Sequence, residues 1–291
     1  MTTFAIAGLQ LEAQNGNNVD SMLTEIDSVV KRYPWIDMVV LGELNACGTD
    51  IKLAEPMPGP TEKRFCLAAK QHGIWLIPGS MLESANGLAY NTAPVIAPDG
   101  SVVSRYRKQF PWLPYEDRVA PGDQFTVFEV PEVGRFGVSI CYDMWFPETI
   151  RTMAWMGAEV ILHPTLTSSI DRDAEIAMIR AHAAMNQLYF FDVNVSGPLG
   201  VGQSCVAGPG GEIVYQANKG REIIALKLDF NYLHEVRKNG WQNLGQPLKS
   251  FRDSNVKFPQ YTEGYASEAL KALGPMHMAS GGNGAKRSND R

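Results

Sequence analysis

The residue most suited to chemistry is Cys141, at the centre of the stretch GRFGVSICYDMWFPETIRTMAWMGAEVILHPT, residues 134–165. Phe136, Val138 and Ile140 read as a strand, and Pro147 is placed to open a helix, where its missing N–H is no loss. Cys141 therefore falls where a strand breaks toward a helix, a junction that fixes a side chain and leaves backbone N–H groups free for a substrate oxygen. The alternative is a buried structural thiol, since free cysteine is among the most buried residue types. A thiol nucleophile needs a base, a holder for the developing oxyanion and an acid for the leaving group. Of the five histidines, His163 at a strand's end is the one placed to pair with Cys141, which makes a Cys-His pair one mechanism to consider. Two other strand-end residues have complementary chemistry. Glu43 follows the apolar run MVVL, and Lys108 follows the extended segment 101–106. Read alone, each fits equally a charged side chain in water. No GxSxG elbow, HExxH, paired-cysteine zinc spacing, P-loop or GxGxxG fingerprint occurs.

The 291 residues, 45% hydrophobic and 20% charged, suit a globular protein with a substantial core. A net charge of −5 without a basic block argues against nucleic acid as a partner. The cysteines at 47, 66, 141 and 205 form no framework, which fits free thiols in a reducing compartment. Residues 1–12 have no basic leader, and no run of 18 apolar residues occurs. Neither signal peptide nor membrane span is expected, and a cytoplasmic location follows.

Elements alternate along the chain. Residues 3–11 form a strand, Asn17 or Asn18 caps a helix, and 38–41 form a short central strand. A helix over 61–72 stops at Gly73, and 74–77 is a strand. Segments 89–97 and 101–106 flank Pro98-Asp99-Gly100 as a hairpin. After Cys141 come a helix (147–156), a strand (159–163), a helix (173–186), a strand (188–195), a hairpin around Pro209-Gly210-Gly211, a strand (223–228) and a helix from 230 to about 238. Such alternation implies sheets covered by helices. The tail 274–291, poor in large apolar residues, is expected to be mobile.

Three ordered motifs, VVLGELNACG around Glu43, SRYRKQFPW around Lys108 and GVSICYDMWFPE around Cys141, resemble the nitrilase or carbon-nitrogen hydrolase superfamily over residues 3–233. The resemblance implies an α/β fold, a four-layer α-β-β-α sandwich, in one domain over 1–273. It implies a Glu-Lys-Cys triad: Glu43 as general base, Cys141 as nucleophile attacking an amide carbon, and Lys108 with the backbone N–H of Tyr142 holding the oxyanion. No metal or organic cofactor is required. The loop PWLPYEDRVAPG is similar to that of aliphatic amidases and formamidases, and by that match Glu116 orients the substrate nitrogen or positions Lys108, with Asp117 as the competing assignment. Pocket walls are expected from Trp112, Tyr142, Trp145 and the HPTLTSS loop that starts at His163 and includes Thr165.

Two departures from the family pattern matter. Gly42 stands where many relatives have proline, and Trp145 where many amidases have a basic residue. Loss of that cation disfavours an acidic substrate. The resemblance therefore implies hydrolysis of a small neutral amide to the acid and ammonia. Nitrile hydrolysis and removal of an N-carbamoyl group are alternatives with the same triad, and a silent binding or scaffolding relative is the alternative outside enzymes. Family members associate through a helical face, so a homodimer or higher homo-oligomer is expected, with 230–273 as the arm contacting a second subunit.

Overall fold

The computed structural model of the protein describes residues 2–262, 264 and 266–276. The first half builds β1 (Thr3–Gln10), α1 (Val19–Arg32), β2 (Met38–Leu41), α2 (Pro60–His72), β3 (Trp75–Ile77), β4 (Met81–Ala85), β5 (Leu88–Ile96) and β6 (Val102–Arg107). The second builds β7 (Thr126–Val130), β8 (Gly134–Val138), α3 (Pro147–Trp155), β9 (Val160–Thr165), α4 (Arg172–Asn186), β10 (Tyr189–Asn194), β11 (Cys205–Ala207) and β12 (Ile213–Gln216). β13 (Glu222–Asp229) then returns to pair antiparallel with β1. Among the described residues one sheet runs β13-β1-β2-β3-β5-β4 with β6 on β5, and the other runs β12-β11-β10-β9-β8-β7. Both are mixed. β1, β2 and β3 are parallel, as are β8, β9 and β10, with antiparallel strands on either side.

The layering follows from strand alternation. In β1 and β2, Phe4, Ile6, Met38 and Val40 face the other sheet and share a core with Phe136, Val138, Leu162, Phe191 and Val193. Their neighbours Ala5, Ala7, Leu9, Val39 and Leu41 face outward onto Met22, Ile26 and Val29 of α1 and Phe65 and Ala69 of α2. Ile161 and Phe190 of the second sheet likewise meet Ile150 and Met153 of α3 and Ile179 and Ala183 of α4. Three apolar seams between four layers give the α-β-β-α sandwich. Each fully buried Leu, Ile or Phe in these seams contributes about 1.5–3 kcal/mol relative to exposure.

The local signals behave as their chemistry requires. Pro147 occupies the first turn of α3, Gly73 ends α2 at φ 65°, and the Asn17 carboxamide oxygen accepts the Val19 N–H at the start of α1. Two strands escaped the sequence reading. β4 pairs with β5 through a turn in which Asn86 and Gly87 both have positive φ (53° and 77°), so the Asn-Gly pair was the available signal. β7 is a five-residue segment for which the Pro121-Gly122 turn dipeptide before it was the available signal.

Beyond β13 lie α5 (Phe230–Asn239), α6 (Pro247–Arg252) and a short α7 (Glu268–Lys271). Phe251 of α6 packs edge-on against Trp155 of α3, with ring centroids 5.4 Å apart. The tail expected to be mobile lies outside the described residues from 277 onward. No helix among the described residues is long and apolar enough to cross a membrane.

Candidate active site

Glu43 stands two residues past the end of β2. A Cβ on Gly42 would lie 2.5 Å from Val195 Cγ1 and 3.1 Å from the Val195 nitrogen, so a residue with a side chain, proline included, would push the two sheets apart here. The close approach is used. Thr165 O accepts from Glu43 N at 3.2 Å and from Val195 N at 3.1 Å, which ties the end of β2 to the ends of β9 and β10. Leu44 follows at φ 48° and donates its N–H to Ser80 Oγ, so the chain turns and leaves the Glu43 side chain in the interior.

Lys108 comes directly after β6, and its N–H bonds to Asn91 O of β5 at 2.8 Å. Its ammonium reaches Glu43 Oε1 at 2.8 Å and Glu116 Oε2 at 2.8 Å. Asn91 Nδ2 donates to the same Glu43 oxygen at 2.8 Å, so Oε1 takes both donors and Oε2 is left clear of them. Glu43 and Lys108 are 2% and 1% exposed, which excludes the reading of either as a charge in water. Glu116 also accepts the Trp112 N–H at 2.5 Å within its own tight turn. Asp117, next in sequence, is exposed on the cavity lining, so Glu116 is the carboxylate that meets the ammonium.

Cys141 opens a single 3₁₀ turn, Cys141–Trp145, with φ at 46°, a left-handed conformation that few residues other than glycine adopt. Asp143 holds this elbow. Its Oδ2 accepts from Ile140 N at 2.9 Å and Tyr106 Oη at 2.7 Å, and its Oδ1 from Gln109 N at 3.1 Å and Phe110 N at 2.9 Å. One buried carboxylate thereby joins the Cys141 turn to the segment that carries Lys108. Burial pushes the Asp143 carboxyl up to about 6 despite these donors.

The electrostatics of the three central groups are interlocked. Burial raises Glu43 above its ordinary 4.5, and the Lys108 charge offsets only part of that rise. Burial, followed by the nearby Glu43 charge, pushes the Cys141 thiol well above its ordinary 9.0. Burial would lower Lys108, but Glu43, Cys141 and Glu116 outweigh it and leave the ammonium firmly protonated. The Cys141 thiol and the Lys108 ammonium thus share the site with the Glu43 and Glu116 side chains. A buried thiol of this kind needs its proton removed as it attacks, and a carboxylate is suited to take it.

These groups lie in the wall of a cavity of about 560 Å³ whose lining includes Trp112, Tyr142 and Trp145. His163 and Thr165 correct the sequence reading, because neither lines the cavity. His163 is wholly buried, its Nδ1 is 2.7 Å from Ser139 Oγ, and burial pulls it down to about 3. It is turned to the second sheet's interior and is not positioned to take the Cys141 proton. Thr165 donates instead to Asp192 Oδ1 at 2.8 Å. The lining from this segment comes from the next residues, Leu166 to Ser169, where the chain has left β9.

Sequence reasoning did not find Asn91, Asp143, Arg172 or Glu175, and reached Thr167 only as part of the HPTLTSS loop. A polar residue inside the buried strand LAYNTAPVI was a signal for Asn91. Among the described residues no group of three or more His, Cys, Asp or Glu side chains is arranged to hold a metal ion.

The carbon-nitrogen hydrolase family model matches residues 3–238, a span that contains every one of these groups. The chain belongs to the carbon-nitrogen hydrolase family. It is similar to the omega-amidase of Xenopus tropicalis, at 30% identity over 200 residues, 64% of this chain and 72% of that protein. The N-carbamoylputrescine amidase of Solanum lycopersicum is 33% identical over 214 residues, 65% of this chain and 70% of that one. The formamidase of Bacillus cereus (strain B4264) is 26% identical over 276 residues, 89% and 83% of the two chains. Among solved structures, a branch 10 member of the nitrilase superfamily from Saccharomyces cerevisiae superposes with a TM-score of 0.75 at 26% identity, covering 81% of this chain and 94% of that one. As a carbon-nitrogen hydrolase with the nitrilase-superfamily sandwich, the protein is an enzyme that acts on C–N bonds.

Proposed function

We propose that this carbon-nitrogen hydrolase converts a small neutral carboxamide to its acid and ammonia through a thioester on Cys141. The observation that carries the reading is the Lys108 ammonium bridging Glu43 and Glu116 in the wall that also holds the Cys141 thiol. In the first half-reaction Glu43 takes the thiol proton as sulfur bonds to the amide carbon, and the carbonyl oxygen becomes an oxyanion. Lys108 and the Tyr142 N–H stabilise that oxygen, each such donor being worth about 2.7–4 kcal/mol in the transition state. Glu43 then passes its proton to the nitrogen, the C–N bond breaks, and ammonia leaves. In the second half-reaction Glu43 takes a proton from water as the oxygen attacks the thioester carbon. The C–S bond breaks, the acid is released, and the proton returns to sulfur.

Substrate charge follows from the lining. Lys108 is already bound to two carboxylates, Glu175 is paired with the buried Arg172, and the other lining cation, Arg118, is exposed beside Asp117, while Asp171 adds a further acid. A substrate carboxylate would meet more repulsion than attraction, and the indole of Trp145 suits an apolar acyl group. Ammonia release measured side by side on propionamide, propionitrile, succinamate and N-carbamoyl-β-alanine tests this. The neutral amide should have the highest kcat/KM, and a preference for any of the other three would overturn the assignment.

We also propose that the segment 230–273 contacts a second copy of the chain in a homo-oligomer and that the enzyme works in the cytoplasm. Exposed Leu244, Val256, Tyr261, Leu270 and Leu273 on that segment support the first part, and unpaired cysteines suit the second. A monomeric mass by light scattering that persists at high protein concentration would remove the oligomer.

A further inference from the structure

Beneath the cavity lies a buried ionic chain for which the thioester mechanism has no task. Thr167 Oγ1 donates to Glu175 Oε1 at 2.9 Å, and Glu175 Oε2 accepts from Arg172 Nη1 at 3.1 Å. Arg172 continues to Asp192 and to Gln203 O at 2.8 Å. Arg172, Glu175 and Asp192 are each 3% exposed or less. Burying three charges in this way is costly in desolvation, and well-packed apolar residues often do as well for stability. What the chain achieves lies at its upper end.

Thr167 lines the cavity with its hydroxyl 4.0 Å from Cys141 Sγ. Its backbone is clamped, since its N–H goes to Asn194 Oδ1 at 2.8 Å and its carbonyl accepts from Asn194 Nδ2 at 3.1 Å and Val201 N at 3.0 Å. A threonine hydroxyl has one proton. Here Glu175 takes it, with the Arg172 guanidinium on its other oxygen; burial raises the Glu175 carboxyl above its ordinary value, and Arg172 offsets part of that rise. Toward the cavity, Thr167 therefore offers only lone pairs.

We propose that Thr167 is a further catalytic residue, accepting an N–H of the scissile amide, with Arg172 and Glu175 as positioning residues that fix the sense of its hydroxyl. This rests on the amidase reading above. The spacing suits it: 4.0 Å from sulfur leaves room for the nitrogen of the attacked carbon to sit between, at about 2.9 Å from the hydroxyl. One N–H held by Thr167 turns the nitrogen lone pair toward the protonated Glu43, which must deliver the proton before the C–N bond breaks. A substrate whose leaving atom has no N–H gains nothing from this contact. The hydroxyl then serves selection of amides over esters of the same acyl group.

The test compares propionamide with phenyl propionate, which carries the same acyl group and no N–H. In Thr167→Val the ratio of amide to ester kcat/KM should fall at least about tenfold, through kcat more than KM, because the loss is made in the transition state. Thr167→Ser, which keeps the hydroxyl, should recover most of the ratio. Glu175→Gln should lower it as well, since a carboxamide can turn the hydroxyl around. Thr167→Ala serves the same comparison if the valine variant does not fold. An unchanged ratio in the variant lacking the hydroxyl, or a serine variant no better than valine, overturns the inference. If the native enzyme cleaves the ester and no amide, the amidase reading itself fails and takes this inference with it.

Discussion

Lys108 Nζ lies 2.8 Å from Glu43 Oε1, and the same ammonium lies 2.8 Å from Glu116 Oε2, with the Glu43–Lys108 pair almost wholly out of water. One cation thus balances two carboxylates and, on the proposed mechanism, also holds the reacting oxygen. Lys108→Met removes both services. The expected loss in kcat is about 10²- to 10³-fold, with destabilisation of about 3–5 kcal/mol from the carboxylates left behind. Steady-state kinetics and urea unfolding measure the two effects separately. Adding Glu43→Gln to Lys108→Met should restore part of the stability and none of the rate.

Asn91 gives the second hydrogen bond to Glu43 Oε1 and receives the Lys108 backbone N–H. On the proposed mechanism Glu43 acts as base only when ionised, so kcat/KM should rise with pH through its pKa, which burial sets above the ordinary 4.5. A donor to a carboxylate favours the charged form. Asn91→Leu removes that donor, and the acidic limb should move to still higher pH with the alkaline limb in place. A fall in rate that is equal at every pH would assign Asn91 to packing alone.

Cys141→Ala should abolish ammonia release and keep the fold, as read by circular dichroism. Mass spectrometry of the native enzyme quenched during turnover of a slow amide should find the acyl group on Cys141. Cys205 is buried and pushed up to about 12, and Cys47 and Cys66 are also raised above their ordinary value by burial. None of the three has a buried ammonium and a carboxylate base beside it, so acylation at any of them would relocate the nucleophile.

Asp143 accepts four donors, from Ile140, Tyr106, Gln109 and Phe110. The Asp143→Asn amide has one acceptor oxygen, so its NH₂ faces two of those donors. Each buried group left without a partner costs about 1–3 kcal/mol. The melting temperature should drop. The Cys141 turn and the Lys108 segment lose their shared anchor, so kcat should fall by more than KM rises.

Gly42→Ala places a methyl 2.5 Å from Val195 Cγ1 and close to the Val195 backbone. Overpacking of this kind costs about 1–3 kcal/mol. The displaced group is Glu43, so the rate should fall together with stability, and a fully active, fully stable variant would show that the contact yields freely.

Much of this was legible in the residues. Glu43, Lys108 and Cys141 each follow an extended segment, and local patterns such as MVVL or FGVSI mark those segments because buried parallel strands read as continuous apolar runs. The exchange of Glu116 and Asp117 was not decidable from two adjacent acids, since only the turn over 112–116 points one of them at the ammonium. His163 misled for a related reason. Nearness in sequence to a strand's end does not say which face the ring takes, and here it faces Ser139. The pairing of Thr167 with Glu175 gave no signal, although Thr167 lies in the HPTLTSS loop, because their meeting depends on how α4 lies against the loop after β9, a distance of eight residues with no fixed period.

The Thr165 carbonyl, shared by the N–H groups of Glu43 and Val195, stitches the rim of one sheet to the rim of the other. Glu43 belongs to the first sheet and Cys141 to the second, so on the proposed mechanism neither half holds a working centre by itself. On that mechanism a newly made chain should stay chemically inert until both halves have closed on each other. Any stress that parts them should silence the enzyme before it unravels either half.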